Sequence, residues 1–306
     1  MIFTDFYFSK EVLTGIDAAG FSECMPVQEE VFAAALQEKR DVAVQSHTGS
    51  GKTAAFLLTI FEQFIREPEV GHKALIVAPT RELAVQIEQE AKLLGSGTGF
   101  TVGSFYGGVG YGKQEQLLKE GVDIIIGTPG RLIDFGQSKK LQFKEIDRLI
   151  IDEADRLFDM GFLPDLRKML RQMKKPEQRQ TMLFSATLGT NVDRLAWEFM
   201  NQPEKIIIDA DSITVDEISQ VIYHVSIEEK MQLLLGLLAR ENPENALIFT
   251  NTKDMAVKVA KRLELNGYHA RYIMGDLPQK KRLDIINKMK SGELRILVAT
   301  DVAARG

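Results

Sequence analysis

The fold is decided by the stretch DVAVQSHTGSGKTAAFLLTIFEQF, residues 41–64. Its first five residues, Asp41 to Gln45, form a short apolar run of the kind that makes a buried strand. A glycine-rich loop follows, and the segment TAAFLLTIFEQF then has the apolar spacing of a helix. A strand, a tight loop and a helix in this order form the repeating unit of a parallel sheet.

Outward from this stretch, the same alternation continues as far as residue 208. Short runs rich in Val, Ile and Leu alternate with longer segments of helical period; the runs are Ala74 to Ala78, Val102 to Tyr106, Asp123 to Ile126, Arg148 to Ile151, Thr181 to Phe184 and Lys205 to Ile208. Near-continuous apolar strands separated by helices indicate a parallel sheet that is covered on both faces. We therefore predict the α/β class, with a doubly wound sheet.

The pattern breaks at DADSITVDEIS, residues 209–219, which carries four acidic residues and no long apolar run. We predict an interdomain linker over residues 209–218, a first domain over 1–208 and a second over 219–306. In the second domain we expect a helix over Met255 to Asn266, and strands over Val221 to Val225, Ala246 to Thr250, Ala270 to Met274 and Ile296 to Ala299. ALIVAPTREL, residues 74–83, and ALIFTNTKDM, residues 246–255, each combine a strand, a Thr-bearing turn and a helix start.

Composition agrees with two globular domains. The chain has 306 residues, 44% of them hydrophobic, and domains average roughly 150 residues. No apolar run approaches the ~18 residues that span a bilayer, and MIFTDFYFSKE does not resemble a signal peptide. We therefore expect a cytoplasmic protein with no membrane partner. One cysteine and four scattered histidines give no disulfide or zinc spacing, and we expect the lone Trp197 to belong to the core.

Charge is distributed unevenly along the chain. Residues 1–218 carry 24 Lys and Arg against 33 Asp and Glu, whereas residues 219–306 carry 14 against 10. A net charge of -5 argues against polyanion binding through a broad basic face. Any such ligand must be held by a few well-placed donors.

The loop SHTGSGKT has the pattern of a phosphate-binding loop, with Ser46 where the usual pattern has its first glycine. It lies between a strand and a helix, which is the context that the chemistry requires, whereas a plain glycine-rich turn is the alternative. The predicted ATP-binding residues here are Ser46, His47, Thr48, Gly49, Ser50, Gly51, Lys52 and Thr53. The glycines turn backbone amides toward a polyphosphate, Lys52 reaches the terminal phosphates, and the Thr53 hydroxyl ligates Mg²⁺.

A carboxylate partner for this loop follows the apolar run Leu149 to Ile151. Asp152 should emerge at the carboxyl end of a parallel strand, where ligands bind in open sheets, and there it can hold Mg²⁺, partly through water. Glu153 is then placed to orient and deprotonate an attacking water. Lys52, Asp152 and Glu153 are the predicted catalytic residues; a solvated acidic helix start is the alternative meaning of such a run.

With Asp152 to Asp155 spelling DEAD, the chain resembles the DEAD-box RNA helicases, and the other motifs of that family occur in order. They are MPVQ with Gln28, PTREL at residues 79–83, Gly107-Gly108, TPGR at 128–131, SAT at 185–187, LIFTNT with Phe249, QKKR at 279–282 and ATDVAARG at 299–306. Phe3 also lies seventeen residues before Gly20, as in the family. The resemblance covers essentially the whole chain and implies two tandem RecA-like domains, of which the second is truncated.

The resemblance implies roles for further residues. Gln28 would read the adenine edge of ATP, Phe3 would stack on the base, and Asp301 would contribute to the nucleotide site. RNA would be contacted by Pro79, Thr80, Arg81, Gly107, Gly108, Thr128, Pro129, Gly130, Arg131, Phe249, Gln279, Arg282 and Thr300. Ser185 and Thr187 would bind Asp155 and link the ATP site to the RNA side. We also expect Thr128 to cap a helix that has Pro129 in its first turn, and Thr80 to precede another helix; the exposed amides at such helix starts bind phosphate without reading sequence.

The chain departs from the family pattern in three places. Met25-Pro26-Val27 replaces the more frequent Thr-Pro-Ile, Ser46 and His47 replace Ala-Gln, and the arginine-rich motif HRxGRxGR does not occur in the 306 residues. That motif donates the family's arginine fingers, so we expect this chain to bind ATP but to hydrolyse it poorly.

Three functions stay open at this point. The first is an ATP-dependent RNA helicase, with proteins of ribonucleoprotein particles, ribosome assembly or RNA decay as expected partners. The second is an ATP-binding RNA clamp or scaffold without turnover. The third is another phosphate-loop ATPase, such as a DNA translocase.

Overall fold

A computed structural model describes residues 1–68, 72–208, 219–275 and 277–300, without the side chains of Gln279 and Lys280. The chain divides into two compact units, Met1–Thr214 and Val215–Gly306. The linker predicted over residues 209–218 lies outside the described residues, so the proposed domain boundaries stay a prediction. No helix among the described residues is long and apolar enough to cross a bilayer.

Unit 1 alternates strands and helices along the chain. Its strands are β1 Val42–Gln45, β2 Ala74–Val77, β3 Val102–Phe105, β4 Ile124–Gly127, β5 Arg148–Ile151, β6 Gln180–Ser185 and β7 Glu204–Ile207. Its helices are α1 Lys10–Ala18, α2 Pro26–Val31 with a π-helical continuation Phe32–Gln37, α3 Lys52–Arg66, α4 Arg81–Leu94, α5 Tyr111–Glu120, α6 Pro129–Gln137, α7 Ala154–Asp159, α8 Leu163–Leu170 and α9 Thr190–Phe199. Each strand predicted in residues 1–208 is present within one or two residues at either end.

The seven strands form one sheet in the order β3-β4-β2-β5-β6-β1-β7, and every described pairing is parallel. Buried side chains of β2 and β5 alternate between two apolar clusters, one on each face: Ile76 and Ile150 join one, and Leu75 and Leu149 the other. Because both faces are covered, the central strands read as continuous apolar runs. The predicted doubly wound α/β fold is confirmed.

Unit 2 contains α10 Lys230–Glu241, β8 Ala246–Thr250, α11 Lys253–Leu265, β9 Ala270–Ile273, α12 Gln279–Lys290 and β10 Ile296–Thr300. Its three strands form a parallel sheet in the order β8-β10-β9. The strand predicted over Val221 to Val225 is wrong, because this segment is exposed and forms no ladder. Its apolar residues favour a strand locally, but a strand needs a neighbour for its backbone groups, and none pairs with it in the described part of unit 2.

Trp197 lies at the surface, although the sequence analysis placed it in the core. The helix α9 buries Val192, Leu195, Ala196 and Phe199 on one face, and at 100° per residue Trp197 falls on the opposite side. It is 86% exposed. The assignment of Trp197 to the core was therefore wrong.

Candidate nucleotide and RNA site

One edge of the unit 1 sheet carries nearly all the motif residues that the sequence singled out in this unit. The phosphate loop follows β1, Asp152 follows β5 and the SAT segment ends β6, so three adjacent strands β5-β6-β1 carry the predicted ATP residues. The predicted RNA residues follow β3, β4 and β2, which are adjacent strands on the other half of the same sheet. Parallel strands direct their carboxyl ends to one edge, which is where open α/β sheets bind ligands.

The phosphate loop is shaped by two glycines with left-handed backbone. Gly49 has φ +84° and Gly51 has φ +89°, a region that L side chains rarely adopt. Lys52 begins α3, and its Nζ donates to the carbonyl oxygens of Ser46 and His47, at 2.9 Å each. Burial lowers the pKa of the Lys52 ammonium, against the raising effect of Asp152 and Glu153. The amides at the start of a fifteen-residue helix and the ammonium form a ready site for a polyphosphate.

Gln28 lies against this loop. Its Oε1 accepts from the Met25 amide at 2.9 Å, and its Nε2 donates to the Gly51 carbonyl at 3.2 Å. A side-chain amide has two donors and two acceptor lone pairs. One donor and one lone pair therefore remain, which is the pair that an adenine N6/N7 edge requires.

Asp152 and Glu153 follow β5 as predicted. Asp152 is buried, and burial, with the nearby Glu153 charge, raises its pKa to about 7, while Lys52 acts in the opposite direction. Glu153 has a left-handed backbone, φ 48° and ψ 52°, and its Oε2 accepts from Arg156 at 2.9 Å. Burial raises the pKa of Glu153, which makes its carboxylate a better proton acceptor; its catalytic role stays a prediction.

The residues predicted to couple the two halves of the edge are in contact. The Asp155 amide donates to Ser185 Oγ at 3.3 Å, and Ser185 Oγ donates to the Thr187 carbonyl at 2.7 Å. The Thr187 hydroxyl reaches Asp155 Oδ2 at 3.5 Å. The contacts join the ends of β5 and β6; the coupling role itself stays a prediction.

On the RNA side, Arg81 begins α4 and lies against Gly107 and Gly108. Gly108 has φ +81°, which L side chains rarely adopt, and a Cβ there would lie 2.0 Å from Arg81 Nη1, so a larger residue would be strained and would displace the guanidinium. Thr80 caps α4 by accepting from the Leu83 amide at 3.3 Å, and Pro79 is buried. Thr128 occupies the capping position of α6 with Pro129 next, but its hydroxyl makes no capping bond, which corrects the predicted side-chain cap. Gly130 is exposed.

Arg131 is buried, although the sequence predicted it to donate to RNA. It is 5% exposed, its Nη1 donates to Gln114 Oε1 at 2.9 Å, and its Nη2 donates to the Val109 carbonyl at 3.0 Å. The reason is helix geometry, since Arg131 shares the buried face of α6 with Phe135, one turn on. Arg131 is thus held by partners within the protein, and its contact with RNA stays a prediction.

The ring of Phe3 is buried in unit 1, whereas stacking on a base needs a free ring face. It is 4% exposed and packs in an aromatic cluster, with its ring 6.3 Å from Phe21 at an interplanar angle of 17° and close to Phe8 and Phe32. Burial in the apolar cluster beside α3 accounts for this packing. Stacking of Phe3 on adenine stays a prediction.

In unit 2, Phe249 is exposed on β8 and Thr300 is buried at the end of β10. Arg282 is only 9% exposed, although the sequence predicted it to donate to RNA. It shares a face of α12 with Ile285, Ile286 and Met289, which pack against the cluster of Ile273 and Leu297. Asp301 and the side chain of Gln279 lie outside the description.

Sequence reasoning missed three side chains that shape the site. Arg156 pairs with the predicted base Glu153, and its i,i+3 spacing could have indicated this. Tyr111 and Gln114 surround Arg131. No local signal indicates their role, because the contact joins the starts of two helices that follow different strands.

Comparison with known proteins agrees with this geometry. The DEAD/DEAH box helicase family model matches residues 25–195, and the helicase conserved C-terminal domain matches residues 229–306. An ATP-dependent RNA helicase RhlB of Xanthomonas axonopodis pv. citri is 46% identical over 99% of this chain and 54% of its own length. The RhlB of Shewanella halifaxensis is 46% identical over 99% of this chain and 71% of its own. The chain thus spans about half the length of the Xanthomonas relative.

Solved structures give the same result. Yeast Dbp5 bound to RNA and ADP BeF3 matches with a TM-score of 0.85 at 27% identity, over 100% of this chain and 77% of that one. A DEAD box protein from Methanococcus jannaschii matches with a TM-score of 0.64 at 32% identity, over 100% and 82%. Because the DEAD/DEAH model covers more than half of the chain and the RhlB proteins match along it, this chain belongs to the DEAD/DEAH box helicase family.

Proposed function

We propose that this chain forms the ATP- and RNA-binding part of an ATP-dependent RNA helicase. The observation that carries the proposal is the division of one sheet edge into an ATP half and an RNA half, joined by the contacts of Asp155 with Ser185 and Thr187. The RhlB relatives are named as ATP-dependent RNA helicases, and the Dbp5 structure is described as bound to RNA. We extend those activities to this chain.

In the proposed site, ATP is held by the phosphate loop and Gln28. The Lys52 ammonium exchanges its carbonyl partners for the terminal phosphates, and Gln28 binds the adenine edge with its remaining donor and acceptor. The described residues contain no group of three or more His, Cys, Asp or Glu that could hold a metal alone. The donors present, the Thr53 hydroxyl and the Asp152 carboxylate, suit Mg²⁺, which keeps water and phosphate ligands. When bound, Mg²⁺ neutralises phosphate charge.

Hydrolysis is assigned to Glu153. Its carboxylate orients water and takes its proton, and burial raises its pKa, which makes it a better proton acceptor. Burial raises the pKa of Asp152 to about 7 against the Lys52 ammonium, so a bound metal cation would favour its ionised form. We therefore expect metal binding to release a proton at pH 7 or below.

RNA is proposed to bind across the ends of β3, β4 and β2. Arg81 and the amides near Gly107, Gly108 and Thr128 are aimed donors on a unit whose overall charge is negative. Such contacts address the phosphates and the sugar, so we expect little sequence preference. The preference for RNA over DNA is carried over from the relatives and structures, through contacts to 2'-hydroxyls.

The deciding experiment uses a version of the protein that carries the arginine-rich motif HRxGRxGR and measures its ATPase rate with no nucleic acid, with poly(A) RNA and with single-stranded DNA. Stimulation by RNA well above that by DNA supports the proposal. Equal or greater stimulation by DNA contradicts it and favours a DNA translocase. ATP-dependent RNA binding without turnover indicates the clamp or scaffold function instead.

A further inference from the structure

Tyr111 stands beside the proposed RNA path, although no sequence motif includes it. It is the first residue of α5 and follows Gly107 and Gly108 by only a few residues. It remains 47% exposed, which is unusual for an aromatic side chain with so many partners. Its environment shows how the ring is held.

Three contacts hold the ring. The Arg131 guanidinium carbon lies 4.0 Å from the ring centroid, a cation–π distance. The Tyr111 hydroxyl donates to Asp134 Oδ2 at 3.0 Å, and the Phe135 ring lies 5.8 Å away at 86°. Because Arg131 lies over one face of the ring, we expect the exposed 47% of the side chain to include the opposite, outer face.

Arg131 also fixes the loop that carries Tyr111. Its Nη2 binds the Val109 carbonyl and its Nη1 binds Gln114 Oε1. Gln114 Nε2 in turn donates to the Tyr106 carbonyl at 3.2 Å. One buried guanidinium thus holds both ends of the loop with Gly107 and Gly108, together with the ring of Tyr111.

We infer that the outer face of Tyr111 stacks on a base of bound RNA, and that Arg131 positions this ring rather than contacting RNA. This inference rests on the proposed function. A rigid aromatic face beside backbone-binding groups is what single-stranded nucleic acid uses for sequence-tolerant stacking. The Asp134 carboxylate at the hydroxyl end of the ring repels phosphate, which favours a neutral base as the occupant.

The main test uses a unique fluorophore. In a Trp197→Phe background, Tyr111→Trp leaves one tryptophan in the chain. A ten-nucleotide oligoadenylate RNA is titrated in with a non-hydrolysable ATP analogue. We expect the RNA to quench the tryptophan, and a series of RNAs with one abasic site each to lose the quenching at one position. Binding with unchanged fluorescence, or quenching at every abasic position, overturns the inference.

Affinity measurements separate stacking from folding. Tyr111→Ala should raise the Kd for RNA by ~5- to 100-fold, since stacking on an aromatic ring is typically worth that much, while Tyr111→Phe should stay within about threefold. The Kd for the ATP analogue should not change in either. If the wild-type chain binds no RNA, the proposed function fails as well. If it binds and Tyr111→Ala binds equally tightly, only the stacking is wrong.

Arg131 is tested as a positioning residue. Arg131→Lys keeps the charge but cannot bind Val109 and Gln114 together, so it should speed hydrogen exchange in residues 106–112 and weaken RNA binding. Adding Tyr111→Ala to Arg131→Lys should cost little more, because the first change has already displaced the ring. Fully additive losses would show that Arg131 contacts RNA itself, and would overturn its assignment.

Discussion

At the scale of single residues, Lys52 is the most directly testable position. In a version of the protein that carries the arginine-rich motif, Lys52→Ala should lower the ATPase rate by ~100-fold or more, because it removes the charge that meets the terminal phosphates, an effect typically worth ~3 kcal/mol. Lys139, which is exposed in the loop after α6, offers a matched control. Steady-state rates at saturating RNA measure the effect, and a rate within tenfold of wild type would contradict the role.

Glu153 allows binding and hydrolysis to be separated. Glu153→Gln keeps the shape of the side chain but cannot take a proton, so ATP and RNA binding should persist while hydrolysis falls by ~10²- to 10⁴-fold. Single-turnover hydrolysis and RNA binding with ATP are the measurements. Loss of RNA binding in the variant would show instead that the Glu153–Arg156 pair is structural.

Gln28 should set the preference for ATP over GTP. Gln28→Ala removes the only adenine-reading amide that we identify, and Gln28→Glu keeps its shape but loses its donors. Both variants should narrow the difference between ATP and GTP in kcat/KM by ~10-fold or more, since an unpaired buried polar group is a strong basis for discrimination. A variant that rejects GTP as strongly as wild type would exclude this assignment.

At the scale of elements, helix starts show what local sequence can predict. The segments at residues 74–83 and 246–255 each place a Thr before a helix, and both Thr80 and Thr252 cap by accepting from the amide three residues on, at 3.3 and 3.2 Å. The shared strand, turn and helix start are confirmed. A cap is made with neighbours in sequence, which is why these two were predictable, although Thr128 stands before α6 without making such a bond. The burial of Arg131 depends on Gln114 of α5 and on Val109 in the loop before that helix, which follow a different strand, and was not predictable.

The amino-terminal end of the sheet holds a buried carboxylate, Asp41, whose ionisation should change the stability of the fold. Asp41 accepts from the amides of Thr181 at 2.8 Å and Asn201 at 2.7 Å. Burial nevertheless raises its pKa from an ordinary 3.8 to about 6, against these bonds and Arg179. Because the pKa of Asp41 is higher in the folded state than in the unfolded chain, protonation of Asp41 stabilises the folded state. This stabilisation is complete below pH 3.8 and is lost as the pH rises through 6.

Asp41→Asn should therefore remove the part of the pH dependence of stability that comes from Asp41. The free energy of unfolding of the wild type, minus that of the variant, should fall by about 2 kcal/mol between pH 4.5 and pH 7. Urea denaturation at both pH values measures it. Asp193→Asn, which loses an ion pair with Lys205 near the surface, is the control and should change stability by less than about 1 kcal/mol. If the difference in the free energy of unfolding between wild type and Asp41→Asn were the same at both pH values, the raised pKa of Asp41 would be contradicted.

At the scale of the whole molecule, sheet order explains how much the sequence could predict. Apolar runs revealed the strands of unit 1, and motif positions at strand ends revealed which loops matter. The order β3-β4-β2-β5-β6-β1-β7, which separates the predicted ATP residues from the predicted RNA residues, depends on packing between distant segments. The failures have the same cause. Val221–Val225 lacked a pairing neighbour. The burial of Phe3 and Arg282 likewise depends on the apolar faces around them, whereas their roles toward ATP and RNA stay predictions.

The two units also predict how ligands should change stability. Lys52, Thr53, Gln28 and Asp152 all belong to unit 1, so ATP analogue with Mg²⁺ should stabilise the unfolding transition of that unit, by about 2.7 kcal/mol at 100 times the Kd. Calorimetry of the full chain with and without ligand measures the shift. The transition of unit 2 should move much less without RNA, and Lys52→Ala should reduce the shift in unit 1. Equal shifts in both transitions would show that unit 2 contributes to nucleotide binding, which would assign residues such as Asp301 a larger share of the site.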